Sequence, residues 1–338
     1  MNTQPYQIAM FGAGRIGQVH ARNIVAHPSS TLKYIVDPVE GPARELAALC
    51  GATYADEATA LSDPDIAAIL VASATSTHAE LIEKGIAAGK AVFCEKPIDL
   101  SIERVNACLA AIEGKAPALL IGFNRRFDPG VAEVQRRAAA GAVGNIEIVS
   151  VMSKDPEGSL PIEYLKVSGG LFRDMTIHDF DMARFLLGEE PTTVFATASS
   201  MVSSDIAAIG DIDTACVTMQ CASGRIATIT NSRRASSGYD QRVEVHGSTG
   251  TLRTENVPKT MFVHESADLV ERSTPKFFFT DRYAESYAAE WAHFVRVLDG
   301  AEQASPNAID GQRALLLAEA AYMSLREGRR VLVSEVAG

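Results

Sequence analysis

Residues 7–24, QIAMFGAGRIGQVHARNI, decide the fold. QIAMFG reads as a short apolar strand that runs straight into glycines at 12, 14 and 17, and the helical pattern VHARNIVAH follows at once. A pyrophosphate needs a tight turn, a backbone bare enough for close approach and a helix N-terminus with free N–H groups. G-x-G-x-x-G between strand and helix supplies these in order. The motif alone is weak, but its context adds to it. TLKYIVD reads as a second strand, and Asp37 ends it 20 residues after Gly17, where a carboxylate can accept both ribose hydroxyls. Its charge repels a 2′-phosphate, and no Arg or Lys follows before Arg44, so NAD is the expected cofactor rather than NADP.

Working outward, helix and strand patterns alternate through GPARELAALCG, ATYA, EATALSDP, DIAAILVAS, HAELIEKGIAAG, AVFCEKP, SIERVNACLAAIEG and ALLIGFN. At this spacing the alternation predicts a doubly wound parallel sheet, a Rossmann domain over residues 1–124. Ligands gather at the C-terminal strand ends of such sheets, so SATSTHAE (73–80), CEKP (94–97) and GFNRRFDP (122–129) overlook the nicotinamide crevice. Cofactor contacts are expected from Gly12, Ala13, Gly14, Arg15 and Ile16, from Asp37, from Ala74, Thr75 and His78, and from Glu95 and Lys96. For His78, near the cofactor, a polar role at a helix start has equal standing with a catalytic one, and His20 reads as a packing or capping residue. Lys96 sits at a strand end before a proline that stiffens the turn, and beside NAD it can hydrogen-bond a substrate hydroxyl.

Beyond residue 124 the pattern changes. IEIVSVMS, TTVFATAS, DTACVTMQ, RIATITNS, QRVEVHG and TLRTE show the period-two alternation of strands with one covered face, and ASGR joins two as a hairpin. Residues 125–338 are therefore expected to form a second α/β domain with a large, mostly antiparallel open sheet. Its helices fall at 171–187, about 284–298 and about 311–327. Trp291 and Phe294 have core spacing, and His246 reads as a sheet-end residue.

Composition bounds the partners. The chain has 338 residues, 47% apolar and 22% charged, as a folded two-domain protein does, and its net charge of −11 argues against nucleic acid or an anionic membrane. Five cysteines without a C-x-x-C pair read as structural thiols in a reducing compartment. No export signal or membrane span is evident, so a cytoplasmic protein with a small-molecule partner is expected.

GGLFRDMTIHDFDMARFL, residues 169–186, puts Asp174, His178 and Asp181 at i, i+4 and i+7, which brings all three onto one face of a helix. Three readings compete: a metal site, an acid/base pair and a solvated helix face. No Cys-rich or H-E-x-x-H pattern supports a metal. With the dinucleotide fingerprint and Lys96 alongside, acid/base chemistry fits best, which leaves Asp179 and Asp181 as structural or helix-face residues.

GAGRIGQVHARNI, the acid-ended second strand, FCEKPIDLS, GFNRRFDP and GGLFRDMTIHDFDMARFLLG together resemble the Gfo/Idh/MocA oxidoreductases, and within them the inositol dehydrogenase branch. NSRRASSGYDQRVEVHG and DRYAESYAAEWAHF add to the likeness, which spans essentially the whole chain. The resemblance implies NAD-dependent oxidation of a cyclitol or sugar hydroxyl, myo-inositol first, with scyllo-inositol, chiro-inositol or an aldose as alternatives. A non-catalytic sugar sensor is a further alternative. It implies a catalytic set of Lys96, Asp174 and His178, with substrate contacts from Arg125, Asp155, Tyr239 and Tyr283. It also implies dimers or a homotetramer built through the open sheet. In that set His178 can take the hydroxyl proton, Asp174 can orient the imidazole and Lys96 can stabilise the alkoxide, with the order in which Lys96 and His178 meet the proton left open.

Overall fold

In the computed structural model, residues 4–115, 118–156, 158 and 160–336 are described. The chain divides into two compact units, Met1–Phe127 with Ser286–Leu315, and Asp128–Glu285 with Leu316–Gly338.

The first unit carries six strands, β1 (Tyr6–Phe11), β2 (Ser30–Val36), β3 (Thr53–Tyr54), β4 (Ile66–Val71), β5 (Ala91–Glu95) and β6 (Leu119–Gly122). All pair in parallel, in the order β3-β2-β1-β4-β5-β6. The strands read as continuous apolar runs because both faces are covered: Ile69, Leu70 and Val71 of β4 and Val92, Phe93 and Cys94 of β5 are all fully buried. Helices Arg15–Ala26, Glu40–Cys50, Glu57–Ser62, His78–Ala87 and Ile102–Ile112 connect them. Two of these begin on side-chain caps, Asp56 accepting from the Thr59 N–H and Ser101 from that of Arg104. The order reverses between β1 and β4, the switch point where such sheets bind nucleotides.

Residues 286–315, which the sequence reading assigns to the second domain, pack with this first unit. Helix Ala284–Leu298 places Trp291, Phe294 and Val295 in the β-sheet core. Phe93 meets Trp291 at 6.2 Å and Phe294 at 5.6 Å between ring centroids, and the Trp291 indole donates to the Ser30 hydroxyl at 3.0 Å. An apolar face goes where a complementary core exists, whatever its distance along the chain.

The second unit holds β7 (Ile146–Lys154), β8 (Pro191–Ser199), β9 (Thr214–Cys221), β10 (Ile226–Ser232), β11 (Asp240–Gly247) and β12 (Gly250–Arg253). A separate hairpin follows, β13 (Val263–Glu265) with β14 (Val270–Arg272), and then β15 (Val331–Leu332). The large sheet has the order β12-β11-β7-β10-β9-β8-β15, antiparallel throughout except for β7 beside β10. Ala222-Ser223-Gly224-Arg225 closes the β9–β10 hairpin. Burial alternates as the sequence period requires: Ala215, Val217, Met219 and Cys221 of β9 face inward, with Cys216 exposed between them. Helix Thr176–Leu187 packs on β7 and β10, and Ile177, Phe180, Met182, Ala183, Leu186 and Leu187 fill the layer.

The sequence pattern predicts one helix over 171–187, but there are two, Leu171–Asp174 and Thr176–Leu187, separated at Met175. The β13–β14 hairpin was not anticipated either. Its residues are exposed on both sides and show no alternation of apolar and polar positions.

Candidate active site

In the first unit the glycine turn is specified by space. Gly12 has φ +107°, and a Cβ there would lie 2.3 Å from the Ala72 carbonyl oxygen; a Cβ on Gly17 would lie 2.2 Å from the Gly12 carbonyl oxygen. At Gly14 nothing stands within 4 Å. Gly12 therefore permits the turn, Gly17 lets the helix seat against it, and Gly14 leaves an open backbone face at the helix N-terminus. Asp37 is held beside this turn, its Oδ2 accepting the Ala13 N–H at 2.8 Å and its Oδ1 the Val39 N–H at 2.8 Å. An ionised carboxylate has about four acceptor sites, so two remain for ribose hydroxyls. An open N–H face and an acid anchored against it fit a dinucleotide.

The neighbouring strand ends supply the other expected residues. Ala74 caps the turn Thr75–Thr77 after β4, Lys96 follows β5, and Arg125 lies buried in the turn Asn124–Phe127 after β6. His78 is buried, with Nδ1 2.8 Å from the Pro97 carbonyl and Nε2 3.1 Å from that of Ser73. Burial holds it neutral, its pKa lowered against the pull of those carbonyls, so it donates one proton, best to Pro97 at the shorter distance. The ring thus clamps two strand-end loops together. Glu95 is buried and bound to His20 Nε2 at 2.7 Å.

In the second unit Asp174 ends one short helix and His178 stands in the first turn of the next. The Tyr164 hydroxyl donates to Asp174 Oδ1 at 2.8 Å, and Arg233 Nη2 donates to Oδ2 at 3.1 Å. Burial opposes the Arg233 charge, but Asp174 first, then Asp155 and Asp211, outweigh it and raise its pKa further. The Asp155 N–H donates to the Ser232 carbonyl at 2.9 Å, which brings that expected substrate residue to the same strand ends. Tyr239 and Tyr283 meet edge to face at 5.8 Å, both buried.

The solvated-face reading of this helix fails. Within Thr176–Leu187 every residue is buried except His178 and Phe185. Asp179 accepts from the Asn231 amide at 2.7 Å, and Asp181 lies 3.4 Å from Arg184. The two acids are structural, and the histidine keeps partial access to solvent. Among the described residues no group of three or more His, Cys, Asp or Glu comes together as a metal site. A cavity of about 480 Å³ in this unit, bordered by Asp128, Arg137, Thr254, Lys276 and Arg282, includes neither Asp174 nor His178.

Sequence reasoning missed Tyr164, Arg233, Asn231 and Thr176, whose hydroxyl donates to Asn231 Oδ1 at 2.7 Å. One signal was available: β10 buries Ala227, Ile229 and Asn231 in alternation, and Arg233 continues the series. Polar residues at inward positions of a strand need built partners.

Two family models match the chain, the oxidoreductase family's NAD-binding Rossmann fold over residues 6–123 and the GFO/IDH/MocA C-terminal domain over residues 131–253. The inositol 2-dehydrogenase of Rhizobium meliloti is 43% identical over 97% of this chain and 99% of its own. The crystal structure of a myo-inositol dehydrogenase from Corynebacterium glutamicum is similar at a TM-score of 0.93 and 42% identity, covering 97% of this chain and 98% of that one. A scyllo-inositol dehydrogenase from Lactobacillus casei, solved with NAD(H) and scyllo-inositol bound, is similar at a TM-score of 0.90 and 28% identity, over 98% and 100%.

Proposed function

This chain belongs to the GFO/IDH/MocA oxidoreductases, and we propose that within them it is an inositol 2-dehydrogenase, oxidising myo-inositol to 2-keto-myo-inositol with NAD. The observation that carries the reading is His178, half-buried on a helix whose other residues except Phe185 are buried, four positions after an Asp174 gripped by Arg233 and Tyr164. The relatives at 43% and 42% identity are named for inositol, which selects the substrate class.

Bound NAD supplies the hydride acceptor. Hydride leaves a secondary alcohol readily only as the carbon takes on alkoxide character, so the hydroxyl proton must have somewhere to go. His178 takes it, since an imidazole with an ordinary pKa of about 6.5 is a competent base near neutral pH. Asp174 stabilises the imidazolium that results, and the Arg233–Tyr164 grip keeps its carboxylate aimed. Lys96 donates to the developing alkoxide. Arg125, Asp155, Tyr239 and Tyr283 bind the ring hydroxyls. Asp37 favours NAD because its charge opposes a 2′-phosphate.

The outer face of the large sheet carries Ile148 and Phe195, 40% and 42% exposed, and it is the face through which the chain forms a dimer or tetramer. No helix among the described residues is long and apolar enough to cross a membrane, and the enzyme works in the cytoplasm, where NAD is available. The test is NADH formation with NAD⁺ or NADP⁺ and a panel of myo-, scyllo- and chiro-inositol, glucose and galactose. Fastest turnover of myo-inositol with NAD⁺ is the expected result. Preference for scyllo-inositol, the ligand of the Lactobacillus casei structure, would move the substrate while keeping the mechanism.

A further inference from the structure

Three ionisable groups of the first unit meet in its interior, next to the strand end that carries Lys96. His20, fully buried on helix Arg15–Ala26, holds Glu95 at 2.7 Å, and its ring packs edge-on to Phe93 at 5.1 Å and Tyr287 at 5.6 Å. The third group is Glu290 on helix Ala284–Leu298, with no exposed surface; neither of its carboxyl oxygens has a hydrogen-bond partner among the described residues. Its neighbours on the helix face, Tyr287, Trp291 and Phe294, are core residues, so this position calls for an apolar side chain and holds an acid.

A carboxylate in such a place sheds its charge by taking a proton. Burial, and second the charge of Glu95, hold the Glu290 pKa well above the usual carboxylate range. The other groups facing the cluster are few. Helix Arg15–Ala26 presents His20, β5 presents Glu95, with Lys96 next in sequence and the Cys94 thiol turned to the opposite face of the sheet, and Glu290's own helix presents Tyr287. From β6 comes only Gly122, where a Cβ would lie 3.0 Å from the Glu95 carboxyl.

We propose that Glu290 is a positioning residue for Lys96 and works only as the neutral acid. While Glu290 keeps its proton, Glu95 stays bound to His20 at the end of β5. Loss of that proton leaves two carboxylates facing each other and displaces the turn that presents Lys96. The proposal rests on the reading of Lys96 as an alkoxide stabiliser.

The experiment compares wild type with Glu290→Gln, whose amide has the shape of the acid and does not titrate. Two readouts are followed, kcat for myo-inositol between about pH 7 and 10 and the Tm between about pH 5 and 9. Wild-type kcat should fall toward alkaline pH, and the fall should move up by about one pH unit or more in Glu290→Gln. The Tm carries its own sign. The folded state keeps a proton that the unfolded chain releases near pH 4.3, so wild type loses stability as pH rises past that value. Glu290→Gln does not, and the gap between them should widen with pH. Coincident alkaline limbs, a constant Tm gap, or a loss of more than about tenfold in kcat at every pH in Glu290→Gln would each overturn the proposal. If wild type turns over no polyol, the dehydrogenase reading falls, while the Tm gap still decides whether Glu290 is the neutral acid.

Discussion

In the first unit the glycine turn proposed to cradle the cofactor is made mostly of backbone, whereas in the second unit Asp174, proposed to orient the base, sits among side chains drawn from five separate segments. Gly12, Gly14 and Gly17 act through what they lack, and the one side chain they need, Asp37, is tied to the turn by a backbone N–H. Asp174 is held by Tyr164 and Arg233, and Arg233 also faces Asp155 and Asp211, residues up to 78 positions apart along the chain, while Thr176, close to Asp174 in sequence, bonds Asn231. A backbone site tolerates no added atoms, and a side-chain site tolerates no lost charges. Substitutions in the two units should therefore fail in different ways.

The largest stability effect should come from the second unit. Arg233→Met leaves Asp174, Asp155 and Asp211 without their shared cation in a buried setting, a change that costs about 3 to 5 kcal/mol when one member of a buried pair is removed. Urea denaturation reads this directly; an unchanged midpoint would mean that the three acids have other compensation. Next comes Gly12→Ala, where a positive φ and a 2.3 Å clash with backbone leave no room to relax. A loss of about 2 to 4 kcal/mol with weaker NAD binding is expected. Gly14→Ala sharpens the contrast, because nothing stands within 4 Å of the new methyl. Stability should hold within about 1 kcal/mol while NAD affinity falls, which titration of NADH fluorescence would show. Smallest is Asp37→Ser, which removes the charge that opposes a 2′-phosphate. The NAD-to-NADP ratio of kcat/KM should drop about tenfold or more, and an unchanged ratio would assign cofactor choice elsewhere.

The same contrast explains what could be read in the chain beforehand. The parallel sheet was legible through β6 because each strand is a local apolar run and the glycine motif sits between one strand and one helix. Lys96, Asp174 and His178 were legible as a pattern. The grip on Asp174 was not, since it depends on β7 lying beside β10, a long-range pairing that no local spacing encodes. The helix break at Met175 was hidden for a related reason: 171–187 keeps helical periodicity across it, and the backbone departs from the helix only locally, at φ −94° and ψ −56°. The packing of 286–315 with the first unit follows from which core accepts Trp291 and Phe294, a property of two faces and not of one segment. Glu290 gave no signal, because a buried acid looks like any other glutamate of an amphipathic helix until its surroundings are known.

The central claim, that His178 is the base of an NAD-dependent alcohol oxidation, is tested most directly by His178→Ala. Initial rates of NADH formation from myo-inositol and the NADH dissociation constant would be measured on variant and wild type together. The account predicts a kcat lower by about 10² to 10⁴ with NADH affinity within about twofold of wild type. A variant that keeps wild-type turnover would contradict it and would place the proton on another group.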